Sequence, residues 1–193
     1  MPTMEAEAAV DLSWIPLGAG AHVVRVSGGI FEALSATVQR RPRSDLYHSA
    51  LEVTLPEGRY VVEMTPIPDR YGHRRGVVVE GAVGMKLAGR LRVFRYEIRR
   101  WRDGTIPDLA QAVESPQRVA VEPTTARVVL DLVPSVPPLV WGRDELGAGE
   151  MWNSNSVVSW LLARGGVEVG ALQPPAGGRA PGWRAGLVAA GRD

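Results

Sequence analysis

Residues 47–65 read YHSALEVTLPEGRYVVEMT. Two runs that alternate apolar and polar side chains flank Pro56-Glu57-Gly58. Alternation is the strand period, and a Pro followed closely by a Gly is turn chemistry. The stretch predicts a β-hairpin with strands over 47–55 and 59–65. Leu51 and Val53 point to one face, His48 and Ala50 to the other. On the second strand Val62 and Met64 alternate with Glu63 and Thr65.

Working outward, 75–83 and 91–101 read as two further strands of the same meander, the first around Val77-Val78-Val79 and the second rich in β-branched and aromatic residues. Upstream, HVVRVS at 22–27 reads as a buried strand. Apolar residues at Ile30, Phe31, Leu34 and Val38 give helical spacing up to Pro42. Downstream come a helical turn near 108–113 and a helix over 124–133 capped by Thr124 or Thr125. A long connection over 139–152 then leads to a strongly apolar helix from Ser154 to Arg164, stopped by Gly165-Gly166. Helices segregated from an antiparallel meander sheet predict an α+β fold. Residues 1–20 read as an N-terminal tail and 21–193 as one domain, with a Pro/Gly-rich C-terminal segment over 173–193.

Composition removes several function classes. The chain has 193 residues, 45% hydrophobic and 22% charged, enough for a core without staples. Its net charge of +1 exerts no global pull on nucleic acid or an anionic membrane. It has no cysteine, which excludes disulfides, thiolate metal sites and a cysteine nucleophile. No apolar run reaches the roughly 18 residues of a membrane span. The first eleven residues carry Glu5, Glu7 and Asp11 and no basic residue, unlike a secretory signal, so the expected location is cytoplasmic. His22, His48 and His73 lack metal-ligand spacing, and the glycines match no phosphate-binding loop, so no metal or cofactor is expected. Arg90, Arg92, Arg95, Arg99, Arg100 and Arg102 fall on both parities of their strand, which argues for a solvated edge and against a nucleic-acid surface.

The segment with chemical potential is Trp152-Asn153-Ser154-Asn155-Ser156, immediately before the apolar helix. Asn and Ser are natural N-cap residues, and a hydroxyl in the first turn feels the free N–H groups of the helix end. His48 supplies an imidazole, and Glu63 or Thr65 a group able to orient it. In the connection before the helix, Trp141 and Trp152 read as pocket walls and Arg143, Asp144 and Glu145 as substrate contacts. The bland alternative is an Ω-like loop that satisfies itself. Residues 173–183 read either as a flap over a cleft, with Arg179 and Trp183 as contacts, or as an ordered surface coil.

Tyr47-His48-Ser49 after a strand–helix unit, followed much later by Asn153-Ser154-Asn155-Ser156-Val157 opening a buried helix, resembles the circularly permuted papain-like superfamily. That superfamily includes NlpC-type, desumoylating-isopeptidase-like (PPPDE) and lecithin-retinol-acyltransferase-like proteins. The resemblance spans residues 21–164 and implies a permuted papain-like fold. It implies Ser154 as nucleophile, His48 as its base and Glu63 as the group orienting His48. The Ser154 backbone N–H with an Asn153 or Asn155 amide would bind the oxyanion, and the substrate would be a peptide, isopeptide, amide or ester. Ser154 stands where the family has cysteine, and Val157 where it often has phenylalanine. Serine is not ionised by a helix end alone and needs a well-placed base and oxyanion hole. Two functions follow as expectations. One is a Ser-His hydrolase or acyl-transfer enzyme, and the other a catalytically inactive papain-like binding domain.

Overall fold

The computed structural model describes residues 7–17, 45–67, 76–106, 108–175 and 177–192; the strand expected at 22–27 and the helix expected at 30–40 lie outside them. Six strands form one sheet: β1 (Ala9–Pro16), β2 (Tyr47–Leu55), β3 (Gly58–Pro66), β4 (Val77–Ala82), β5 (Arg95–Arg102) and β6 (Val113–Ala120). Their order is β4-β5-β3-β2-β1-β6, and every neighbouring pair is antiparallel. The α-helices among the described residues are α1 (Pro123–Leu132), α2 (Ser154–Arg164) and α3 (Trp183–Ala190). The fold is α+β with an antiparallel sheet, as the segregation of strands and helices predicts, but the simple meander expected over 47–101 does not form: β5 pairs with β3 and leaves β4 at the sheet edge. None of these helices is long and apolar enough to cross a membrane.

The expected hairpin at 47–65 forms, paired from Leu55↔Gly58 to Leu51↔Val62, so that Pro56-Glu57 make the turn and Gly58 opens β3. Two strands escaped the sequence reading. Residues 9–16, expected within a tail, are an internal strand that pairs with β2 from Ala9↔Thr54 to Pro16↔Tyr47 and with the edge strand β6 on its other side. Val10, Leu12 and Trp14 carry the period-two signal, and all are fully buried. The acidic residues around them masked it. The second is β6, whose Pro116 weakens any strand reading and confines it to a sheet edge. The strand expected over 91–101 starts at Arg95, because residues 86–94 wind into two 3₁₀ turns that bury none of their side chains. Helix α1 begins at Pro123, a residue suited to the first helical position, so neither Thr124 nor Thr125 is its cap.

All three helices lie on one side of the sheet. The core joins Leu12 and Trp14 of β1, Leu51, Val53 and Leu55 of β2, Val62 and Met64 of β3, and Tyr96 and Ile98 of β5 to Val129 of α1 and Leu161 and Leu162 of α2. Every residue of α2 from Asn155 to Leu162 is buried, so this helix is covered on all sides. Against it lies α3, and the Trp183 ring of α3 meets the Trp14 ring with centroids 5.1 Å apart. Small residues set the α2–α3 approach. A Cβ on Gly186 would fall 2.0 Å from Ser159 Oγ and 2.1 Å from the Ser156 carbonyl oxygen. Gly186→Ala is therefore expected to lower stability by about 1–3 kcal/mol through overpacking. Gly191→Ala, whose Cβ would meet nothing closer than 3.8 Å, should leave it nearly unchanged. Urea titration of both variants checks this, and equal midpoints would remove the close-packing account.

Candidate functional site

The start of α2 is built around two asparagine amides. Asn153 is the N-cap: its Oδ1 accepts from the Asn155 N–H at 2.9 Å and the Ser156 N–H at 3.3 Å. Ser156 Oγ reciprocates, accepting from the Asn153 N–H at 3.0 Å, which completes a capping box. Asn153 Nδ2 donates to the Pro181 carbonyl at 2.8 Å.

Asn155 is 1% exposed. Its Oδ1 accepts from the Ser49 backbone N–H at 2.6 Å and from Ser49 Oγ at 2.9 Å. Its Nδ2 donates to the Tyr47 carbonyl at 3.0 Å and the Pro181 carbonyl at 2.8 Å. A primary amide has two acceptor sites and two donor hydrogens, and here all four are used. The bonds to Ser49 N–H and Tyr47 C=O are those a neighbouring strand would make. Asn155 thus pairs with β2 beyond the end of its ladder with β3. The same edge of the chain is met by residue 179: the Tyr47 N–H donates to the Arg179 carbonyl at 2.8 Å, and the Arg179 N–H to the Asp45 carbonyl at 2.8 Å.

The segment over 179–182 is therefore a brace rather than a flap. It and the start of α3 are held from α2. Ser156 Oγ donates to the Gly182 carbonyl at 2.7 Å, and Ser159 Oγ to the Trp183 carbonyl at 2.8 Å. In the other direction the Glu150 carboxylate accepts from the Gly182 N–H at 2.9 Å and the Arg184 N–H at 3.0 Å, which caps α3 with a negative charge at its positive end.

Ser154 is the first residue of α2 and is partly buried. His48 lies on β2 between Tyr47 and Ser49, both buried toward the helices. Strand alternation therefore turns His48 to the opposite face, and no hydrogen bond joins it to Ser154 among the described residues. Burial holds the His48 imidazole below its ordinary value, and the carboxylate that opposes this is Asp108. The orienting role expected for Glu63 is not what its neighbours suit it for. Glu63 accepts from Arg99 Nη1 at 3.3 Å, and the 3% exposed Arg99 also donates from Nε to Glu97 Oε1 at 2.6 Å. A buried guanidinium needs such carboxylates to offset its desolvation. The Thr65 hydroxyl donates to the Pro66 carbonyl at 3.3 Å.

The connection over 139–152 satisfies itself. Asp144 accepts from the Ala148 and Gly149 N–H groups, each at 2.8 Å, and these backbone bonds hold its carboxyl below the usual range. Glu145 is held low by Lys86, 2.9 Å away, and by the Val140 N–H at 2.8 Å. Arg143 Nε donates to the Gly84 carbonyl at 2.6 Å. Trp141 meets Tyr96 edge to face with centroids 5.9 Å apart. Trp152 is 1% exposed and its indole N–H has no partner in hydrogen-bonding geometry. That group does lie near the Tyr96 hydroxyl, whose pKa burial pushes up to about 12 against the influence of Trp152. These side chains fasten the loop to the β4–β5 end of the sheet.

A cavity of about 280 Å³ with no counterpart in the sequence analysis lies on the sheet face opposite the described helices, where Asp11, Ser13 and Glu52 lie beneath Leu109 and Pro116. Its two carboxylates are already paired, Asp11 with Arg118 at 2.9 Å and Glu52 with Arg59. Its walls come from β1, β2 and β6 and from the connection over 106–112.

No family model matches the sequence, and no curated protein or solved structure shows significant similarity to it.

Removing the Asn155 amide leaves buried backbone groups of β2 without partners. Asn155→Ala should cost roughly 2–4 kcal/mol, whereas Ser154→Ala should stay within about 0.5 kcal/mol of the parent. Equal denaturation midpoints for the two variants would contradict this assignment. His48 gives a pH signature. The unfolded chain takes up a proton near about pH 6.5, the folded chain only at a lower pH, so between these values the unfolded state binds more protons. Stability should be fully present above that window and fall as pH drops through it. His48→Gln should flatten this stretch of the curve, and an unchanged slope would show that another group titrates there.

Proposed function

We propose that the chain is a non-catalytic binding domain of permuted papain-like ancestry, in which the helix start that would carry the nucleophile serves as a structural latch. The observation that carries this reading is the Asn155 amide, with all four of its hydrogen-bonding positions committed to β2 and to Pro181. An oxyanion hole needs donors aimed at an unoccupied position. Asn155 has none to spare, and Asn153 already donates to Pro181.

Two further features support it. Serine requires a general base in reach, and the imidazole of His48 faces away from the helix layer. The side chains that would line a substrate cleft, Trp141, Arg143, Asp144, Glu145 and Trp152, are packed or hydrogen-bonded within the fold. The reaction-competent alternative, a serine-dependent amide or ester hydrolase, would require β2 to shift by one residue and would break the Ser49–Asn155 bonds.

A fluorophosphonate probe separates the two. The intact chain is expected to label no more than Ser154→Ala. Labelling that disappears in Ser154→Ala and in His48→Ala would overturn the non-catalytic reading.

A further inference from the structure

Eight large hydrophobic side chains are exposed among the described residues, and five of them fall within one ten-residue stretch: Met85 (53% exposed), Leu87 (66%), Leu91 (60%), Val93 (77%) and Phe94 (44%). Single exposed apolar residues are ordinary, but a cluster of this kind on one connection is not. The stretch is the pair of 3₁₀ turns joining β4 to β5, and it buries none of its own residues.

Its charge is equally one-sided. Lys86, Arg90, Arg92 and Arg95 are interleaved with the apolar residues, and no acidic residue occurs from 81 to 96. Lys86 is countered by Glu145 at 2.9 Å and Arg95 by Glu80 at 3.1 Å. Both pairs are solvent-exposed on the basic side, 78% for Lys86 and 45% for Arg95, so they exchange readily for other anions.

We propose that this connection docks the domain on an anionic lipid surface, with Leu87, Leu91, Val93 and Phe94 entering the interface and the neighbouring basic side chains meeting lipid phosphates. The pattern suits a membrane better than a protein groove. A groove needs apolar side chains collected on one face of a regular element, whereas here cations alternate with apolar side chains along irregular turns. Long basic side chains can lie along apolar surface and reach up to phosphates while their neighbours sit deeper. The near-neutral charge of the whole chain does not oppose this, since the relevant field extends only about a Debye length, roughly 8 Å at physiological salt. The proposal concerns the end of the sheet where β4 meets β5 and holds whatever the activity at Ser154.

Co-sedimentation of the full chain with vesicles tests it. Binding is expected to vesicles of phosphatidylcholine containing phosphatidylserine, weak binding to phosphatidylcholine alone, and release on raising the salt. Leu87→Asp combined with Val93→Asp should reduce the bound fraction at least about tenfold, and Arg90→Glu should weaken it and lessen its salt dependence. All three positions are exposed, so circular dichroism and thermal midpoint should match the parent. Failure of the parent to bind phosphatidylserine vesicles at low salt would overturn the proposal. So would equal binding by the Leu87→Asp/Val93→Asp variant, or capture of an oligonucleotide through the same residues while vesicles are ignored.

Discussion

The architecture depends on one buried amide. Where β3 leaves β2, a strand end is exposed with an unpaired N–H at Ser49 and an unpaired C=O at Tyr47. Leaving such groups buried and unmatched costs more than a hydrogen bond gains. Asn155 matches both with a side chain shaped like a peptide group, and spends its remaining donor on Pro181. A single residue thereby joins the sheet, the central helix and the approach to the last helix. Aspartate at this position would lack the donors, serine the reach, and glutamine would set the same amide one methylene too far out.

Around that amide, α2 and α3 complete each other's ends. Asn153 and Ser156 hold the carbonyls of Pro181 and Gly182, while Glu150, just before α2, receives the first N–H groups of α3. Neither helix is long, and short helices depend on packing and caps rather than on propensity. Gly186 and Ser159 then let the two backbones approach closely enough for Ser159 to reach the Trp183 carbonyl. Polar residues that look catalytic in sequence are here the fasteners of a helix pair.

Much of the fold was legible because its signals were local. The hairpin at 47–65 declared itself by alternation and by Pro56 and Gly58, and α2 by its apolar run and its terminal glycines. The α+β class followed from the order of these elements. What stayed hidden was long-range. Val10, Leu12 and Trp14 alternate correctly, yet nothing local says that their partners lie in β2 and β6. Phe94 and Val93 favour strands by type but lie in the second 3₁₀ turn. For the site, the alternation that placed Leu51 and Val53 toward the core already placed His48 away from it. The resemblance drew His48 toward the helix, and the register of Ser49 on Asn155 sets the opposite orientation.

The position of β1 between β2 and β6 has a consequence for how the molecule assembles. Trp14 bonds to Ser115, 101 residues away, and Ser49 to Asn155, 106 residues away. Loop closure over such spans is costly in entropy and is recovered only once both ends are in place, so topologies of this kind fold slowly. During synthesis the hairpin can form early, but the strand beside it has one flank open until β6 emerges, and the junction at Tyr47 stays unsealed until α2 is made. A nascent chain halted between those points presents a bare sheet edge to the cell, and that interval is when this domain has most need of a chaperone.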